Sequence, residues 1–258
     1  YSKKLTVDNN GDGINDQTGF FVPIFPAAGP RGGWMVWQWM PFLWQAGGDY
    51  INEEQTAVLY NSEAGVAALE IWQKLYRDLK LETFTSDFDV VFASNRLAMA
   101  LDGSWSLPNY KNLLKNVDWA FAPLPAGPDK QATIVGGEYL SIFKQCEDPD
   151  AAWKFLKWII RPDIQAFWSM KSGYLPIRHE ALNVPEFQKY LEENPNLKVF
   201  VDQMEFGYAM KQIDYGALEI NRHVAEAIEK ATIGKQDAQK ALNESAKKSN
   251  DILKRAKK

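Results

Sequence analysis

Trp34, Trp37, Trp39 and Trp44 place four indoles within eleven positions, in a run that directly follows Gly32-Gly33. Trp buries more area than any other side chain and keeps one N–H donor, so it suits a partner that is apolar on its faces and polar at its edge. A sugar ring is such a partner; filling a core is the competing use of the same residues. A second constellation is the loop Asp8-x-Asn10-x-Asp12-Gly13-x-x-Asp16. Its side-chain oxygens fall at positions 1, 3, 5 and 9 of a calcium loop, with Gly at position 6 and the Ile14 carbonyl at position 7. Position 12 is Gly19 instead of Glu, and position 8 is the polar Asn15, so a solvated turn before a strand is the rival reading. Asp102 and Glu138 form a third set, since a glycoside hydrolase needs two carboxylates about 5–10 Å apart. Nothing in the sequence marks either for proton transfer.

Other catalytic chemistry is thinly represented. His179 and His223 are the two histidines, with no Cys or carboxylate at metal spacing around them. There is no Gly-x-Ser-x-Gly, phosphate-binding loop or dinucleotide fingerprint. Cys146 is the single cysteine, which excludes a disulfide within these residues. A net charge of -4 argues against nucleic acid as a partner, because phosphate binding wants a basic surface. No apolar run approaches the ~20 residues of a membrane span. With 258 residues, 46% of them hydrophobic, the chain can build one large core or two smaller ones. Its opening, Tyr1-Ser-Lys-Lys-Leu-Thr, reads as the tail of a helix, so a longer parent chain is expected.

The elements that must position these residues follow from pattern. Gly19 to Phe25, Leu97 to Leu101 and Trp119 to Pro125 read as strands, and Ile134 to Phe143 as extended chain. The Trp run reads as a helix that stops at Gly47-Gly48. Trp34, Trp37, Pro41 and Trp44 share one face; Trp39, Phe42 and Leu43 point elsewhere, so this helix should be largely buried. Asn61-Ser62-Glu63 starts a helix with Val66, Leu69, Gln73 and Tyr76 inward, ending near Leu79. Phe88, Val91 and Phe92 make a short one. Asp148-Pro149-Asp150 caps a helix over 151–160, Arg161-Pro162 begins another, and two long helices close the chain at 217–231 and 237–256. Strands alternating with helices predict an α/β layered fold.

The segment from Val91 to Trp105 resembles the F-x-x-G-x-x-A-M-x-x-x-G-x-W signature of extracellular solute-binding proteins of ABC sugar importers, the maltose-binding type. Phe92, Ala98, Met99, Gly103 and Trp105 match, while Asn95 stands where Gly is usual; Asn also tolerates the left-handed conformation. Trp119 to Pro125, Gly136 to Ile142, Asp150 to Leu156 and Gly173 to Arg178 follow in the family's order. The resemblance runs from about residue 18 to the end of the chain. It implies a type II periplasmic-binding-protein fold of two lobes, with roughly the first 130 residues of a full-length member absent. Residues 1–125 and 179–258 would then form a nearly complete C-terminal lobe, and 126–178 the hinge crossings with a piece of the N-terminal lobe. Closure about 126–135 and 176–180 would clamp a sugar and present it to a membrane permease.

Site residues follow from combining the two lines. Trp34 and Trp37 lie in the first turn of their helix, where a ligand at strand ends could reach them, whereas Trp44 lies deeper. Trp105 starts a helix just past a strand, and the resemblance implies that it stacks on the ligand. Asp102 could accept sugar hydroxyls or cap the helix. Gly137 allows close backbone approach, and the resemblance puts its N–H and the Glu138 carboxylate in the cleft. Arg178 could reach the ligand or form a hinge ion pair, with Tyr174 a weaker candidate. The expected protein is a non-enzymatic, monomeric, periplasmic or extracellular sugar-binding component, tethered as a lipoprotein where a signal directs it. It requires no cofactor, with calcium at Asp8, Asn10, Asp12, Ile14 and Asp16 as an optional structural ion. A hydrolase and a calcium-stabilised interaction module are the alternatives.

Overall fold

A computed structural model describes residues 1–78 and 88–255. The expected helix end at Leu79 and the last residue of the closing helix, 256, lie outside the described residues. In chain order the elements are α1 (Ser2–Leu5), α2 (Gly32–Gln45), α3 (Glu63–Asp78), α4 (Phe88–Ala93), α5 (Leu107–Leu113) and β1 (Thr133–Val135). They continue with α6 (Pro149–Ile159), α7 (Pro162–Ser172), α8 (Pro185–Glu193), α9 (Pro195–Gln203), β2 (Gly207–Ala209), α10 (Ala217–Thr232) and α11 (Ala238–Arg255). Two compact units result, one of Tyr1–Leu101, Leu124–Val135 and Phe206–Lys258, the other of Asp102–Pro123 and Gly136–Glu205. This grouping runs across the lobe boundaries expected above. Its physical basis is that Trp119 and Phe121 pack around Leu107, Phe187 and Leu197, drawing 102–123 and 179–205 into the second unit.

In the first unit α2 packs on α3, α10 and β1, and α10 lies along α11. The apolar run makes α2 a core helix, with Met35, Val36, Trp39, Met40 and Leu43 fully buried. Each such side chain contributes about 1.5–3 kcal/mol on burial. Gly47, at φ +84, turns the chain out after the helix ends. Polar groups taken inside find partners: the Gln45 and Gln73 amides donate to the carbonyls of Ala132 and Ala231, both at 2.8 Å. The periodicity of the closing helices holds. Ile220, Val224, Ala227 and Ile228 are buried on α10, and Ala241, Leu242, Ser245, Ile252 and Leu253 on α11.

The strand expectations need correction. Thr18 bridges Leu97 in parallel, and the Phe21 N–H donates to the Met99 carbonyl at 2.8 Å, yet neither 19–25 nor 97–101 becomes a strand. Pro23 has no N–H to carry the ladder further. Residues 119–125 are not a strand either, because the Phe121 N–H is taken by the Asn196 side chain at 2.8 Å. Extended pairing in 134–143 stops at Val135, where β1 and β2 pair in parallel with Ile134 opposite Tyr208.

In the second unit α7 packs on α5, α6 and α8, and α8 on α9. Leu107, Ala166, Ala181, Phe187 and Leu197 form its buried core. Asp148 caps α6 as its sequence implies, accepting from the Ala151 N–H at 2.9 Å with Pro149 in the first turn. α8 and α9 each begin with a proline, Pro185 and Pro195, the same kind of start as Pro149 and Pro162.

Candidate functional site

Several of the expected site residues converge in the second unit. Asp102 opens a tight turn: its carboxylate accepts the Gly103 N–H at 2.8 Å and the Tyr110 hydroxyl at 2.5 Å. The 3-10 turn that follows, Ser104–Ser106, has Gly103 at its cap position and no side-chain cap. Asp102 therefore ties the turn to Tyr110 instead of capping a helix. Tyr110 is held in turn by rings: Phe121 stacks on it at 5.8 Å and Trp119 meets it edge-on at 5.7 Å. These three aromatics were not singled out above. The spacing from Asp102 to Tyr110, across one turn into α5, is the signal that could have found the first.

Two glycines position a half-exposed aromatic pair. The Trp105 indole, 36% exposed, folds back over Gly103, where a Cβ would lie 2.1 Å from the ring. Only glycine permits that approach. Gly173 ends α7 at φ +79, and a Cβ on it would lie 2.2 Å from the Ser104 carbonyl. The left-handed cap delivers the next residue, Tyr174, with its ring 6.2 Å from Trp105 and tilted by 41°. The Tyr174 hydroxyl then donates to the Glu138 carboxylate at 3.1 Å. Burial, and next the bond to Glu138, raise the Tyr174 pKa above its usual value, so the phenol stays a donor at neutral pH. Trp105, Tyr174 and Glu138 thus present a half-exposed apolar face ending in a polar edge.

The other expected residues are placed differently. The Arg178 guanidinium pairs with Glu180 at 2.9 and 3.2 Å and holds that carboxyl down to about 2. The ion-pair use of Arg178 is thus the one the structure displays. Gly137 is exposed, with nothing within 4 Å of where a Cβ would stand. In the first unit the Trp run divides by position. Trp34 and Trp37 on the first turns of α2 are partly exposed, Trp39 is fully buried, and Trp44 is buried with its ring 5.6 Å from Tyr208.

The acidic loop is folded onto itself. Asp8 accepts the N–H groups of Gly11 and Gly13 at 2.7 and 2.9 Å, which hold its carboxyl below the usual range. Asn10 accepts from Asp12, Asp12 from Ile14, and Asp16 from Asn9. Among the described residues no group of three or more acidic, His or Cys side chains could hold a metal ion. The turn reading describes this loop, and calcium finds no support in its geometry. Among the same residues no helix is long and apolar enough to cross a membrane.

Residues 12–197 match the family model of bacterial extracellular solute-binding proteins. The sn-glycerol-3-phosphate-binding periplasmic protein UgpB of Yersinia pseudotuberculosis is 33% identical over 132 residues, covering 48% of this chain and 30% of that protein. Its Escherichia coli counterpart is 29% identical over 174 residues, 64% of this chain and 40% of that one. This chain therefore spans less than half the length of these curated relatives. Among solved structures, the cyclic α-maltosyl-1,6-maltose binding protein of Arthrobacter globiformis superposes with a TM-score of 0.79 at 27% identity, over 92% of this chain and 60% of that one. The sugar-binding protein MalE of Xanthomonas citri gives 0.76 at 23%, over 94% and 60%. The fold is that of type II periplasmic binding proteins, seen here in part.

Proposed function

The chain belongs to the bacterial extracellular solute-binding proteins, and from that premise we propose that it is the sugar-binding part of an ABC importer's capture protein, working outside the cytoplasm and delivering its ligand to a membrane permease. The observation that carries this reading is the Trp105–Tyr174–Glu138 series. An indole held against Gly103 offers a flat apolar face, and the Glu138 carboxylate offers acceptors at its edge. Sugars combine those two surfaces in one small molecule. Trp34 and Trp37, partly exposed on α2, are a separate aromatic surface within the first unit. Binding, not chemistry, is the role assigned to Glu138 and Asp102, because Asp102 is already engaged by Gly103 and Tyr110.

Calorimetry tests the reading, with maltotriose, maltose and sn-glycerol 3-phosphate as ligands. Binding of a sugar that weakens in Trp105→Ala supports it. Binding of glycerol phosphate alone would move the substrate class, and aryl-glycoside turnover abolished by Glu138→Gln would replace binding with hydrolysis.

A further inference from the structure

Asn10-Gly11 is the single Asn-Gly pair in the chain, and Asp12-Gly13 follows it directly. Asparagine before glycine is chemically labile, because glycine has no Cβ to keep its backbone nitrogen from the asparagine side chain. All four residues are exposed. Gly11 and Gly13 stand at φ +75 and +85, with nothing within 4 Å of where a Cβ would lie. Solvent base therefore has open access to the Gly11 nitrogen.

The reaction open to this pair is ring closure. The Gly11 nitrogen gives its proton to solvent base and attacks the Asn10 Cγ. The N–Cγ bond forms, the Cγ–Nδ2 bond breaks, and the amide nitrogen leaves as ammonia. Water, the one co-reactant, then opens the five-membered succinimide at either carbonyl. Cleavage of the N–Cγ bond leaves aspartate, and cleavage between the nitrogen and the backbone carbonyl carbon leaves isoaspartate.

In the folded loop two features oppose this path. The Gly11 N–H donates to Asp8 Oδ1 at 2.7 Å, so its proton is held, and a carboxylate so close disfavours negative charge on the nitrogen. The Gly13 N–H donates to the other oxygen of the same carboxylate at 2.9 Å. These bonds hold the Asp8 carboxyl below its usual range, so the group is ionised at neutral pH. The Asn10 side chain is also engaged at both ends: Oδ1 accepts the Asp12 N–H and Nδ2 donates to the Asp12 carboxylate, each at 3.0 Å. Loss of Nδ2 as ammonia gives up the second of these bonds. Gly103, which follows Asp102, is protected differently, being buried under the Trp105 ring. The exposed loop relies on its hydrogen bonds.

We propose that Asn10 is a modification site, converted by spontaneous deamidation to aspartate and isoaspartate, and that the Asp8 carboxylate sets the rate. The product adds a negative charge beside Asp8 and Asp12 and replaces the Nδ2 donor with an acceptor facing the Asp12 carboxylate. Modification therefore weakens the loop that had restrained it. The proposal involves neither the Trp105 site nor any ligand.

Ageing the 258-residue chain at neutral pH tests it, with the loop peptide followed by mass spectrometry and by isoaspartyl methyltransferase labelling. Asn10 is expected to convert, more slowly than in the same chain unfolded in urea. Asp8→Ala, which removes both glycine bonds, should speed conversion by about tenfold or more, the rate change for losing a charge-assisted bond. Its melting temperature should stay that of the parent. Asp16→Ala, which removes the bond to the Asn9 N–H but neither glycine bond, should leave the rate unchanged. An Asn10 that stays intact in Asp8→Ala overturns the modification site. Equal acceleration by Asp8→Ala and Asp16→Ala overturns the role of Asp8, as does a parent rate equal to that of the unfolded chain.

Discussion

The Tyr50 and Tyr60 rings meet tilted at 5.5 Å in the core of the first unit, and their hydroxyls fare differently. Tyr60 bonds Ser245 and Ser249 at 2.9 and 2.8 Å, while the Tyr50 hydroxyl is buried with no partner. Tyr50→Phe removes an unsatisfied group and is expected to stabilise by up to about 1 kcal/mol; Tyr60→Phe strands two serines and should cost about 1–2 kcal/mol. Burial holds both phenols above their usual value of 10. Their contribution is therefore complete below pH 10 and is lost as pH rises beyond it, because the unfolded tyrosines ionise first. Urea unfolding at pH 7 and pH 10.5 checks both points, and a Tyr50→Phe variant that loses as much stability on alkalinisation as the parent contradicts the second. At the site, Trp105→Ala is expected to cost about 2 kcal/mol of ligand affinity, roughly thirty-fold. Trp105 is exposed enough that its loss should leave the melting temperature nearly unchanged.

At the scale of elements, short turns do the positioning. Asn95, where the resemblance expects glycine, adopts φ +57 at the end of α4, so the substitution keeps the left-handed turn. Gly103 cannot be replaced so easily. A Cβ there meets the Trp105 ring, which can swing away into solvent, so Gly103→Ala should weaken ligand binding about as much as Trp105→Ala with little change in stability. A variant that binds normally would show that the ring position is immaterial. The cap of α6 gives the reverse case. Because no residue of that helix is buried, Asp148→Ala, which costs about 1 kcal/mol at a typical N-cap, should fray α6 visibly. Faster amide exchange over 149–159 is the readout, and unchanged exchange would mean that something other than the cap holds the helix.

For the whole molecule, the two units differ in how much they bury. The first carries α2, α3, α10 and α11 around a continuous core, whereas the second has a small core and an α6 with no buried residue. Local stability follows buried apolar contact, so the second unit should open first. Amides in 136–205 are expected to exchange through openings less costly than those of α10 and α11. A single cooperative unfolding step for both units would contradict this. The 258-residue chain spans only 60% of the Arthrobacter globiformis binding protein and is likewise expected to bind sugar more weakly than that protein binds its own ligand; equal calorimetric affinities would refute that.

Periodicity made α3, α10 and α11 legible, because each buries one stripe and a stripe repeats at 3.6 residues whatever it packs against. The cap of α6, the start of α7 and the left-handed turn at Asn95 were legible for a similar reason: each depends on a few adjacent residues. Motif order made Trp105 and Glu138 candidates, and depth along the helix separated the partly exposed Trp34 and Trp37 from the buried Trp44, whereas the burial of Trp39 was not legible. Strands were overcalled at 19–25 and 119–125, because a strand exists only with a partner, and partners here are a proline-limited bridge and the Asn196 side chain. Only tertiary packing decided that Tyr174 meets Glu138 and Trp105, that the Phe121 N–H goes to Asn196, and that 102–123 joins 136–205 in one unit. The sequence by itself determined which residues could stack, cap or accept a bond. Which of them meet was decided by contacts between segments far apart in the chain, and no local pattern encodes those.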